Sequence, residues 1–127
     1  MRTSLMIALL LLVLTIAGGT MAQMQTGALS DRYVSAAEEL RILAQKEEWP
    51  RAAEIVSAYR DDWRRTTTWL QMLINHEDID DVTLALDRLQ AAIDAREQGS
   101  CYEACAELRE NARHIYHRDA FTPGNVL

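Results

Sequence analysis

Residues 49–73 read WPRAAEIVSAYRDDWRRTTTWLQML. Trp49, Ala52, Val56, Tyr59, Trp63, Thr66, Leu70 and Leu73 recur at alternating steps of three and four. That spacing puts them on one stripe of an α-helix, with the charged residues on the other side. A strand would instead alternate every second residue, and no part of the stretch does so. Pro50 suits a first helical turn, where a missing N–H costs nothing, so the spacing predicts a helix starting near Trp49.

The same period extends in both directions. Leu29, Tyr33, Ala36, Leu40 and Leu43 precede it; Ile79, Val82, Leu86, Leu89 and Ile93 follow, and then Cys101, Cys105, Leu108, Ala112 and Ile115. Asn75-His76 is expected to end the second helix, with Asp78, Asp80 and Asp81 as an acidic first turn for the third. Gly99-Ser100 is expected to separate the third and fourth, with Ser100 as N-cap and Glu103 completing a capping box. Thr122-Pro123-Gly124 is expected to end regular structure. Every connection is short, so successive helices pack antiparallel. The fold class is therefore all-α: an N-terminal transmembrane or signal helix followed by a small antiparallel bundle of four helices. Residues 40–59 and 89–108 echo one another, which leaves two tetratricopeptide-like helical hairpins as the alternative.

The N-terminus is of a different kind. Arg2 is the only charged residue before Asp31, and residues 5–17 read LMIALLLLVLTIA. Small residues follow at Gly18, Gly19, Thr20 and Ala22, as at a signal-peptide cleavage site. Residues 3–24 equally supply the roughly 20 apolar positions that a membrane span needs. Residues 1–27 are thus a signal peptide or N-terminal membrane anchor, and residues 28–127 an extracytoplasmic helical domain. With Arg2 held inside, either reading exports the rest. Retention in the cell membrane is the expectation, and secretion after cleavage near Ala22 the alternative. No cysteine follows the apolar run, which excludes a lipid-modified cysteine anchor.

The chain carries 13 basic and 19 acidic residues, for a net charge of −6. Loss of residues 1–22 would take it to −7, because Arg2 is their only charge. An acidic exported domain is a poor ligand for phosphate backbones, so nucleic acid is excluded as a partner. No Gly-rich phosphate loop, nucleophile elbow or C-x-x-C-H haem sequence is present, and no cofactor or catalytic residue is expected.

Some residues could nevertheless carry chemistry. His76, Glu77, Asp78, Asp80 and Asp81 form the densest polar cluster and could hold a cation, although the glycine and ligand spacing of an EF-hand are missing. Acids at a helix N-terminus explain them equally well. Cys101 and Cys105 lie on the apolar stripe and read as core thiols, with a strained disulfide or redox role as the alternative. His114 stands some 13 Å from Cys105 along a helix and His117 farther still, too far to share a zinc ion with it. Trp49, Trp63 and Trp69 read as core aromatics around a central helix or, where exposed, as a partner-binding patch.

The spacing of Trp49, Ala53, Trp63 and Trp69, the run LINHEDIDDVTLALDRL over residues 73–89 and the closing residues 121–127 resemble the family catalogued as domain of unknown function 4363. The resemblance extends over almost the whole chain, apolar segment included. It implies a small membrane-anchored helical bacterial protein with no assigned activity, and hence no catalytic residues to carry over. Residues and resemblance together point to a non-enzymatic module that binds another membrane or envelope protein. Trp49, Trp63, Trp69, His76, Glu77 and Asp78 form its possible partner-binding or structural motif. A metal-binding or redox protein built on the His76 cluster or on Cys101 and Cys105 is the alternative.

Overall fold

The computed structural model describes residues 1–119, except for the side chains at 22, 23, 26 and 116–119. The expected stop at Thr122-Pro123-Gly124 and the closing run 121–127 lie outside the described residues, as do the side chains of Ala22 and His117. Among the described residues four helices follow one another: α1 Arg2–Gln45, α2 Trp49–Leu70, α3 His76–Asp94 and α4 Gln98–Asp119. Each packs on its neighbour in sequence, and α4 returns to α1 along the broadest seam of the molecule. The result is a closed up-down-up-down bundle. Open hairpins would have left α1 and α4 apart.

α1 is 44 residues long and passes through Gly18-Gly19 without a break. Its first half is exposed along its apolar length; its second half buries Tyr33, Ala36, Leu40, Leu43 and Ala44 against the other helices. The core then takes Trp49, Ala52, Val56, Trp63 and Leu70 from α2, and Val82, Leu86, Leu89 and Ile93 from α3. α4 adds Cys101, Cys105, Leu108, Ala112 and Ile115. These are the stripes that helical periodicity marks out, because only one face of each helix can leave water.

The helix ends depart from expectation in two places. α2 stops at Leu70, not at Asn75-His76. The hydroxyls of Thr66, Thr67 and Thr68 donate to the carbonyls of Asp62 and Arg64, adding bonds that loosen the last turns. The chain then tightens, with the Leu73 and Ile74 amides both donating to the Leu70 carbonyl. Leu73 consequently leaves the predicted stripe and is 52 % exposed, while Ile74 takes its place inside. Asn75 belongs to α3 as its N-cap, its side chain accepting from the Glu77 amide at 3.3 Å.

α4 begins at Gln98, so Gly99 and Ser100 lie inside its first turn. Ser100 donates to the Glu97 carboxylate and does not cap the helix toward Glu103. The break before α4 falls earlier, at Arg96 with φ 55°. The Glu97 amide donates to the Ala92 carbonyl and the Arg96 amide to Ile93, the paired bonds of a Schellman C-cap. The α1–α2 turn is built identically: Glu47 has φ 56°, and the Glu48 and Glu47 amides reach the Leu43 and Ala44 carbonyls. The echo between residues 40–59 and 89–108 is therefore a repeated helix–turn–helix geometry, used within one closed bundle. Gln98 ties the two turns together by donating to the Ala44 carbonyl at 3.0 Å.

Candidate functional site

Tyr33 lies at the meeting of α1 and α2. Its ring stands edge-on to Trp63 at 5.1 Å and to Tyr59 at 5.7 Å. Its hydroxyl donates to the Asp62 carboxylate at 2.9 Å, and Arg32 pairs with the same carboxylate at 3.3 Å. Burial, reinforced by the bond to Asp62, pushes the Tyr33 phenol well above its ordinary range. The Trp63 indole N–H donates to the Thr83 hydroxyl at 2.8 Å, linking α2 to α3. Arg60 bridges the same two helices through Asp87 and Gln90. The Tyr33 and Trp63 ends of this network are buried and the Arg32 and Asp87 ends reach solvent, an arrangement that gives the core aromatic residues polar partners and holds them in register.

The three tryptophans divide. Trp49 and Trp63 are buried at 8 % and 2 %, while Trp69 is 44 % exposed. It is followed by Met72 at 85 % and Leu73 at 52 %, so the end of α2 carries an apolar surface. Helical periodicity separates Trp69 from the stripe of Trp63, but the exposure of Leu73 follows from the early helix end.

His76 and Glu77 are exposed at the start of α3, whereas Asp78 is buried to 3 %. Asp78 lies four residues before Val82 on the inward stripe, in the first turn, where the helix dipole favours a carboxylate. The inward face thus splits the predicted cluster. Among the described residues, no group of three or more His, Cys, Asp or Glu side chains is placed to hold a metal ion.

Cys101 and Cys105 are free and buried, and Cys105 borders Ala37 and Arg41 of α1. The contact with Cys101 and the burial around it push the Cys105 thiol above its ordinary range. A thiol of that kind is a poor nucleophile. Beside it is a hollow of about 40 Å³ between Ala37, Arg41, Tyr102 and Arg109. His114 pairs with Glu110 at 3.3 Å on the α4 surface.

A broader groove of about 540 Å³ runs between α3 and α4 at the end carrying the Schellman turns. Its floor is Ala91, Ala95 and Ala104, and its rim is Arg88, Glu103 and Glu107. Arg88 and Glu107 close over it at 2.7 Å. Ser100 and Glu97, hydrogen-bonded to each other at 3.1 Å, line it as well.

Neither a curated protein nor a solved structure matches the chain. The family model that does match spans residues 22–126, the bundle, and begins just beyond the apolar half of α1 instead of including it. The chain therefore belongs to the family described as Domain of unknown function (DUF4363).

Proposed function

We propose that the chain is a membrane-anchored module, with its bundle outside the cytoplasm, that serves as a non-enzymatic accessory or protein-binding part of a membrane complex. The observation that carries this reading is the unbroken course of α1. The segment Arg2–Met21, apolar after its first residue, is 20 residues long and uncovered by the rest of the protein, and the same helix then becomes a wall of the bundle. Twenty residues at 1.5 Å each give about 30 Å, the thickness of the hydrocarbon core. Arg2 at the start favours an inside N-terminus and an exported domain. Such a rigid continuation holds the domain at a set height above the membrane, where a partner in the same membrane meets it. His76 and Glu77, exposed beside the α2–α3 turn, are the polar part of the predicted motif available to that partner, while Trp49, Trp63 and Asp78 support it from inside.

The test is crosslinking of the full-length protein in membranes of its native cell, followed by capture and mass spectrometry. A specific membrane or envelope protein, crosslinked through the bundle, is expected. Recovery of the chain without a partner, in a form released from the membrane, would overturn the reading.

A further inference from the structure

We infer that the α2–α3 turn rests on the bilayer itself, with Trp69, Met72 and Leu73 seated in the lipid headgroup region. The inference rests on the anchored reading of α1 and adds a second membrane contact to it. Its first support is depth. Tyr33 follows Met21, the end of the span, by 12 residues, about 18 Å of helix. Tyr33 meets Asp62 and Trp63 on α2, and farther from the span Glu39 borders Ile55, so α2 runs back toward the membrane. Trp69 lies six residues past Trp63, roughly 9 Å nearer the membrane; α2 ends one residue later at Leu70, roughly 10 Å nearer, and Met72 and Leu73 lie in the turn at that end. The turn thus comes within about 8 Å of the level of Met21, at the outer part of the headgroup layer that adds roughly 5 to 8 Å on each side of the core.

The second support is chemical and independent of depth. Residues 66–75, TTTWLQMLIN, are the longest uncharged stretch downstream of Asp31. Elsewhere between Asp31 and Asp119 no uncharged run exceeds five residues. At this one place the chain shows water an indole, a thioether and an isobutyl group together. Tryptophan with flanking apolar side chains is the composition of membrane–water interfaces, where the ring sits among acyl carbons and the N–H stays hydrated. Because the patch is apolar and the protein acidic, a zwitterionic surface should suffice.

The test uses the full-length protein and its Trp69→Phe variant in phosphatidylcholine vesicles, with and without bromine on the upper acyl chain. Flotation reports the anchor; tryptophan emission reports the seating. Expected are flotation of both proteins and a Trp69 contribution, taken as wild type minus variant, that is blue-shifted in plain lipid and largely quenched by bromine. Trp49 and Trp63 lie inside the bundle and should not respond. A second variant, Met72→Ser with Leu73→Ser, should float but shift the Trp69 emission to the red. Flotation with unquenched, red Trp69 emission would overturn the inference and leave the anchor standing. Blue but unquenched emission would place protein, such as a second copy, over the patch, and overturn it equally. A chain that begins at Gln23 and does not float would overturn the anchored reading and the seating together.

Discussion

Glu47 and Arg96, 49 positions apart, hold the same left-handed backbone conformation, with φ 56° and 55°. Each closes a Schellman cap in which glycine is the usual occupant. A side chain in this region costs about 1–2 kcal/mol, partly offset in a glycine variant by its freer unfolded chain.

Glu47→Gly and Arg96→Gly are therefore each expected to stabilise the bundle, by about 0.5–1 kcal/mol. Urea denaturation of the single variants checks this through the midpoint at constant slope. A lowered midpoint in both would mean that the turns are not left-handed.

The tryptophans should separate by burial. Trp63→Phe loses the bond to Thr83 and part of a packed ring, and should cost about 2–3 kcal/mol. Trp69→Phe, on an exposed surface, should cost less than about 0.5 kcal/mol. Thermal melts of the two variants compare them directly, and equal costs would contradict the placement of α2.

Helix α3 offers a similar contrast. Leu86→Asp would bury an unpaired charge at a position 1 % exposed and should abolish cooperative unfolding. Asn75→Ala removes an N-cap and should cost about 1 kcal/mol. His76→Ala, exposed beside it, should change stability by less than about 0.5 kcal/mol. Circular dichroism melts decide among them; a loss above about 2 kcal/mol at His76 would mean that it holds a buried network.

The pH dependence follows from Tyr33. Its folded phenol titrates above the ordinary value of 10.0, so the folded state holds its proton when the unfolded state has lost it. The stability this gives is complete below pH 10 and falls as pH rises beyond it. The Tyr59 phenol, also raised by burial, contributes in the same direction. Tyr33→Phe should therefore flatten the alkaline loss without abolishing it, measured as urea midpoints between pH 8 and 11. An unchanged alkaline profile would mean that Tyr33 is open to solvent.

Much of this architecture is legible in the sequence because burial enforces a helical period. Trp63, Leu86 and Leu108 had to face inward wherever their helices ended, and they do. The ends are less legible, because they are decided by groups that give no sequence signal. Glutamate and arginine do not announce a left-handed turn as glycine would, so the break at Arg96 was hidden and Gly99-Ser100 attracted the boundary. Three threonines stop α2 early and turn Leu73 outward. Asp78 reads as one more acid of a helix start, although its spacing to Val82 already placed it on the inner stripe. The patch at Trp69, Met72 and Leu73 needed the fold, since only the antiparallel return of α2 brings it near the level of the end of the apolar span. Activity was not legible in either, because the His76 acids, the cysteines and His114 lie on different faces and do not converge.

The most direct measurement is the intact mass of the protein recovered from the membrane and soluble fractions of its own cell. A retained anchor gives the full chain of 14.4 kDa in the membrane fraction alone. A soluble chain beginning at Gln23 would contradict it, leaving a free bundle and no fixed height above a membrane.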